Sequence, residues 1–194
     1  MLTITTEIFS QVSTEAEQLA AAHWDEVEAA LHGEQRYRLD HQRYASLERL
    51  GMLHISAARG LPEAEQGAAS GTSSAPLAGY AAFTVVACPH RPQTMLAALD
   101  GLYLATWARG GLSALRLLRH AEAALAARGV GIMQYSSPAS RPCHALYRRL
   151  GAQPTETIWN KILPPQPRAA AASGSSGSSG SYGALGAESV KEEK

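Results

Sequence analysis

The feature that most constrains this chain is a long apolar run, Met95–Ala105, which passes through the turn Thr106-Trp107-Ala108-Arg109-Gly110-Gly111 into an amphipathic segment, Leu112–Arg128. A run that apolar reads as a strand covered on both faces, and therefore central in a sheet. On the helix that follows, Leu115, Leu118, Glu122 and Leu125 share a face, with Leu117, Ala121 and Ala124 close by, and Gly129 ends it. Adjacent glycines before a helix let the backbone approach a ligand closely. The first N–H groups of such a helix lack intrahelical partners, and the helix dipole favours an anion there. A pyrophosphate is the natural guest, although a plain turn accounts for the same residues.

The rest of the chain alternates around this unit. Leu2–Phe9 alternates apolar and polar residues as a half-buried strand does. Thr14 and Glu17 form a capping-box pattern that predicts a helix from about Glu15 to Leu31, with Leu19, Ala22, His23, Glu26, Val27 and Ala30 on one face. A second helix is expected over Asp40–Leu50, stopped by Gly51, and two strands over Met52–Ala58 and Leu77–Ala87. After the helix at 112–128 come a short strand, Val130–Tyr135, and a helix capped by Ser140 with Pro142 in its first turn and Gly151 past its end. Thr155–Leu163 closes the domain as a strand. The order β-α-α-β-β-β-α-β-α-β is a mixed α/β layout.

Two segments stand apart. Gly60–Pro76 is poor in large apolar side chains and reads as a flexible loop, and the tail over 164–194 is Pro/Ala-rich, then Gly/Ser-rich, and reads as disordered. The expected domain is 1–163. Net charge is zero, with 17 basic and 17 acidic residues, and no basic stripe points to nucleic acid. No apolar run approaches the roughly 20 residues of a membrane span, and the N-terminus lacks the pattern of a secretory signal, so a cytoplasmic protein is expected. Two cysteines do not make a disulfide framework, and no CxxC or HxxxH pair suggests a metal.

The segment Leu104-x-x-x-x-Arg109-Gly110-Gly111-x-Ser113-Ala114-Leu115 resembles the acetyl-CoA-binding signature of the GNAT superfamily of acyltransferases. After the helix and another strand, Ser140-x-x-Cys143-x-x-Leu146-Tyr147-x-x-x-Gly151-Ala152 looks like the second signature of that family, Asn-x-x-Ala-x-x-Leu-Tyr-x-x-x-Gly-Phe. The resemblance spans residues 1–163 and is strongest from Asp100 onward. Softer likenesses at His23–Leu31, Asp40–Gly51, Gly79-Tyr80 and Ala87–His90 are similar to small GNAT proteins encoded by phages and prophages. The chain departs from the pattern at several places. The glycine run is one residue short, Ser113 stands where Gly or Ala is usual, and Thr106, Ser140 and Ala152 replace Pro, Asn and Phe.

The resemblance implies a mixed, mostly antiparallel twisted sheet, splayed between strands four and five and flanked by about four helices. It implies acetyl-CoA as cosubstrate and a primary amine of a small molecule or protein as acceptor. The backbone of Leu104 and Ala105 would pair with the pantetheine arm, while Arg109, Gly110, Gly111, Leu112, Ser113 and Ala114 hold the pyrophosphate and Ser140 completes the site. The amine attacks the thioester directly, an N–H of the fourth strand stabilises the oxyanion, and Tyr147 protonates the departing thiolate. Asp100 is the first candidate for the base. His23, Glu26 and His90 are candidates for the same work or for holding the acceptor. Each has a structural alternative: His23 and Glu26 at the edge of a packed helix face, His90 in the turn after Pro89, and Tyr147 as a core aromatic. Cys143 reads as a small buried hydrophobe rather than a nucleophile. The departures also leave open a GNAT-fold phage protein that has lost catalytic strength and works through protein contacts. Edge strands leave a homodimer open.

Overall fold

The computed structural model describes residues 2–28, 37–65, 75–88, 90–161 and 163. The strands are β1 (Thr3–Glu7), β2 (Leu53–Arg59), β3 (Leu77–Ala87), β4 (Met95–Leu104) and β5 (Val130–Gln134). The helices are α1 (Phe9–His23), α2 (His41–Arg49), α3 (Ser113–Ala127) and α4 (His144–Arg149). A single π-helical turn, Trp24–Glu28, continues α1. The strands lie in the order β1-β2-β3-β4-β5, antiparallel throughout except for the parallel pair β4–β5.

The long central strands are apolar because both faces of the sheet are covered. Along β3 the side chains alternate between two cores, as the period of two requires. Ala81, Phe83 and Val85 meet Leu117, Leu118, Ala121 and Leu125 of α3. Tyr80 and Ala82 point the other way, to Phe9 and Val12 of α1 and to Leu53, Ile55 and Tyr103. This mixed α/β sheet is the architecture expected of a GNAT fold.

Pairing between β4 and β5 runs only from Met95↔Val130 to Ala98↔Gln134. Beyond it β4 continues along β3 alone to Leu104, so the two strands part. A bulge sits at the start of the gap. Ala82 pairs with Gly101 and Phe83 with Leu99, leaving Asp100 as the extra residue of β4.

Several expectations change. α1 begins at Phe9 rather than Glu15, which shortens the first strand, and its N-cap is Ile8 with no capping side chain. Phe9 and Val12 are buried against the sheet, and Phe9 N–H donates to the Glu48 carboxylate, so packing sets the start rather than the Thr14–Glu17 box. The expected end at Leu31 lies outside the described residues. α4 is six residues long and its N-cap is Cys143, whose N–H donates to Ser137 Oγ at 2.9 Å. Ser140 therefore caps nothing and Pro142 precedes the helix. Residues 155–161 and 163 form no strand. Ile158 and Trp159 are 68% and 90% exposed, and a strand without a ladder partner leaves its N–H and C=O groups to water. Within the expected 60–76 loop, Glu63–Glu65 make a short 3₁₀ turn, while residues 66–74 lie outside the described residues, as does the 164–194 tail. Among the described residues no helix is long and apolar enough to cross a membrane.

Candidate active site in the β4–β5 cleft

The splay opens a cavity of about 270 Å³, walled by β4 from Leu99 to Leu104 and by His23, Arg109, Arg141 and Tyr147. Ser136 Oγ, 3.4 Å from Leu99 O, is a side-chain link across the point where the strands separate.

At one end lies the glycine turn. After β4, Ala105 N–H still bonds Ala78 O at 2.8 Å, and a 3₁₀ turn over Thr106–Ala108 carries the chain to Arg109. Gly110 and Gly111 have φ of +126° and +51°, and a Cβ on either would meet nothing within 4 Å. Glycine is needed there for backbone conformation and leaves open space over the turn. α3 then starts at Ser113 with Leu112 as N-cap and no capping side chain, so no side chain competes for its first N–H groups. Ser113 N–H bonds back to Gly110 O at 3.2 Å. Of this stretch Arg109 and Ala114 line the cleft, while Gly110, Gly111, Leu112 and Ser113 make the uncapped helix start between them, a type of backbone that anions favour. The Leu104 carbonyl accepts from Arg109 Nε at 2.7 Å.

Glu26 joins the walls. It accepts from Tyr103 Oη at 2.6 Å, from Arg109 at 3.0 and 2.9 Å, and from Arg141 at 2.5 Å. The Tyr103 hydroxyl first, then the two guanidinium groups, hold its carboxyl below the usual range against the opposing effect of burial. The Arg109 guanidinium also lies over the Tyr103 ring, 4.9 Å from its centroid. Ser140 Oγ donates to Val27 O at 3.1 Å, tying the same turn to the loop before α4.

On the same Tyr103, His23 is buried and stacks at 5.3 Å, with Nδ1 3.1 Å from Tyr80 Oη. Desolvation pushes its pKa down, only partly countered by Glu28, Glu26 and Asp100, so it is held neutral at neutral pH. Gly101 makes this approach possible, since a Cβ there would lie 3.2 Å from the Tyr80 ring and 3.7 Å from His23. Asp100 is exposed on the bulge and accepts from Tyr44 Oη at 2.5 Å. Tyr147 is buried, stacks on Tyr135 at 5.0 Å and donates to Ser136 O at 2.6 Å. Burial pushes its phenol up, and neighbouring Cys143 adds to that.

The cleft therefore brings together Asp100, His23, Tyr147, Leu104, Arg109 and Ala114. Ser140 sits at its edge, holding Val27. His90 is exposed in the turn leading to the start of β4, at the other end of that strand from Leu104, and does not line the cavity. Sequence reasoning missed Arg141, Tyr103 and Tyr44. Neither signature includes them, and their partners lie 115, 77 and 56 residues away.

No family model matches the sequence, and no curated protein matches it significantly. Solved structures do match. An aminoglycoside acetyltransferase from an uncultured soil metagenomic sample is 17% identical with a TM-score of 0.62, over 86% of this chain and 99% of that one. A ribosomal-protein-alanine N-acetyltransferase from Brucella melitensis biovar Abortus is 15% identical with a TM-score of 0.59, over 84% and 100%. A predicted acetyltransferase with acetyl-CoA from Clostridium acetobutylicum is 12% identical with a TM-score of 0.59, over 84% and 96%. The fold is thus that of the GNAT acetyltransferases over most of the chain. The likeness to phage proteins finds no support in these neighbours.

Proposed function

We propose that the protein is an N-acetyltransferase that moves an acetyl group from acetyl-CoA to a primary amine of a small molecule or protein. The observation that carries this reading is the splayed cleft itself, which ends at the uncapped start of α3 and has Tyr147 in its wall. Neighbours of the same fold supply the chemistry by analogy: one is described with acetyl-CoA, another as an aminoglycoside acetyltransferase.

In this reading the turn from Arg109 to Ala114 binds the pyrophosphate through backbone N–H groups, and Leu104 and Ala105 line the pantetheine path. β4 presents an N–H to the oxyanion at the bulge, where the strand has left its partner. Asp100 on the bulge accepts the proton of the incoming ammonium, and neutral His23 lies close enough to orient the amine. Tyr147 is a phenol, protonated at neutral pH and pushed further up by burial, and it delivers its proton to the departing thiolate. His90 has no part in it.

One observation favours the weaker alternative, a GNAT-fold protein with little catalysis. Arg109 Nε occupies the Leu104 carbonyl that the pantetheine arm would use. Isothermal titration with acetyl-CoA separates the two. The enzyme reading expects micromolar-range binding, and no heat would sink it. Tyr147→Phe should then lower turnover by about 10²-fold while leaving acetyl-CoA affinity within a factor of two. Unchanged turnover removes Tyr147 from the mechanism.

A further inference from the structure

Arg109 and Arg141 come from opposite walls of the cleft, one from the turn before α3 and one from the loop before α4. Both point at a single carboxylate. Glu26 accepts two bonds from one guanidinium and one from the other, and its side chain is 31% exposed. Paired guanidinium groups around a planar oxyanion are the arrangement proteins use for phosphate as well as for carboxylate. Glu26 is the carboxylate that bonds both arginines, while Glu28 also lines the cleft. Arg109 also bonds the Leu104 carbonyl and lies over the face of Tyr103, and the Tyr103 contact remains if Glu26 leaves and the pantetheine arm takes that carbonyl. Glu26 itself lies on a π-helical turn, a geometry less regular than the α-helix it extends.

We propose that Arg109 and Arg141 form a side-chain anion site in the cleft, and that Glu26 is its internal occupant, displaced when the phosphate groups of the acyl donor enter. The proposal rests on the acyl-CoA reading for the identity of the ligand but not for the existence of the site. Displacement has a structural consequence. The turn Trp24–Glu28 loses its ties to Arg109 and Arg141, and it is continuous with His23, which faces the bulge. Donor binding and the acceptor end are therefore mechanically linked through one short segment.

The experiment is isothermal titration of the full chain with two probes, acetyl-CoA and inorganic pyrophosphate. It compares the wild type with Glu26→Gln, Arg141→Gln and the double variant. Glu26→Gln keeps the side-chain shape and removes the competing charge, and it should bind both probes about tenfold more tightly. A general field effect would give the same gain whether or not Arg141 is present. A direct contest for the arginines predicts that the gain shrinks to about threefold in the Arg141→Gln background. Glu26→Asp, which keeps the charge but shortens the reach, guards against a neutral variant that fails to fold. It should show a gain of about threefold.

If pyrophosphate affinity is unchanged or weaker in Glu26→Gln, Glu26 is a strut that positions the arginines and the proposal is overturned. A full tenfold gain surviving in the Arg141→Gln background also overturns it. If acetyl-CoA binds no variant while pyrophosphate tightens as expected, the anion site stands and the acyltransferase reading falls. If neither probe binds any variant, both fall.

Discussion

Gly79→Ala offers the sharpest test of how β3 and β4 shape the cleft. Gly79 pairs with Leu104, the last residue of β4. A Cβ built at Gly79 would lie 2.5 Å from Leu104 Cδ2, 2.5 Å from the Tyr103 carbonyl oxygen and 3.0 Å from Leu104 Cα. The leucine methyl can swing aside, but the carbonyl and Cα are backbone. To bring the carbonyl contact out to 3.0–3.4 Å the strands must part by 0.5–0.9 Å at this point. Overpacking of this kind costs about 1–3 kcal/mol, and a backbone clash belongs at the upper end. Alanine also lowers the entropy of the unfolded chain, which returns about 0.4–1 kcal/mol. The net loss is about 2 kcal/mol, or a fall in Tm of about 4–8 °C for a chain of this size. Urea unfolding followed by circular dichroism measures it, and an unchanged m-value shows that the native and denatured states are otherwise comparable. The displacement should also reach function, because Tyr103 bonds Glu26 and the Leu104 carbonyl anchors Arg109. Acetyl-CoA affinity should therefore change in the same variant. A stability within about 0.5 kcal/mol of wild type, together with unaltered affinity, would show that the strand pair yields easily and that this reasoning is wrong.

Other perturbations follow from the same structure. Leu118→Ala empties a fully buried position between α3 and the sheet and should cost about 2–5 kcal/mol in urea unfolding; a loss below about 1 kcal/mol would mean that the core collapses around the gap. His54 is buried, with Nε2 2.9 Å from Ser56 Oγ, and burial first, then Arg128 and His120, push its pKa down to about 4. Its folded pKa lies below the unfolded value near 6.5, so the unfolded state binds more protons between those limits, and stability should fall as pH drops from about 6.5 to about 4. In a folded His54→Asn variant that slope should flatten, and an undiminished slope would assign it to other groups. Gly110→Ala places a side chain at φ +126°, outside the ordinary left-handed region, and should destabilise the turn by about 1–3 kcal/mol. Acetyl-CoA binding should weaken with it, and wild-type affinity would show that the turn does not need this conformation.

What the sequence reveals is what local chemistry and periodicity decide. The run Met95–Ala105 and the face Leu115–Leu118–Leu125 predict a two-sided sheet with a helix on it, and both are present. Gly51, Gly129 and Gly151 stop their elements with φ of +68°, +84° and +84°. Misreadings occur where packing overrides a local signal. The Thr14–Glu17 box is sound chemistry for a helix start, yet the helix begins at Phe9, about 1.7 turns earlier, so that Phe9 and Val12 reach the core. Ser140 with Pro142 reads as a helix start, but the helix begins at His144 with no capping side chain, after Cys143 N–H has bonded Ser137 Oγ. Thr155–Leu163 carries the β-branched and aromatic residues of a strand, and composition alone cannot supply the neighbour that a strand needs.

The site follows the same division, with one instructive exception. Placing His23 and Glu26 on one helical face is right: both meet Tyr103, one on its ring and the other at its hydroxyl. What that face would meet was beyond reach, because Arg109 and Arg141 enter from 83 and 115 residues away. Glu26 therefore lies where sequence spacing puts it but among partners that give it a different character. A carboxylate facing an amine would hold a substrate, whereas Glu26 is clasped by two arginines, which is the ground for the proposed anion site. The shortened glycine run bears on this directly. With fewer glycine N–H groups to hold a pyrophosphate, guanidinium groups from two walls can supply the missing attraction. In the proposed arrangement Glu26 is shared between the two guanidinium groups until a ligand displaces it.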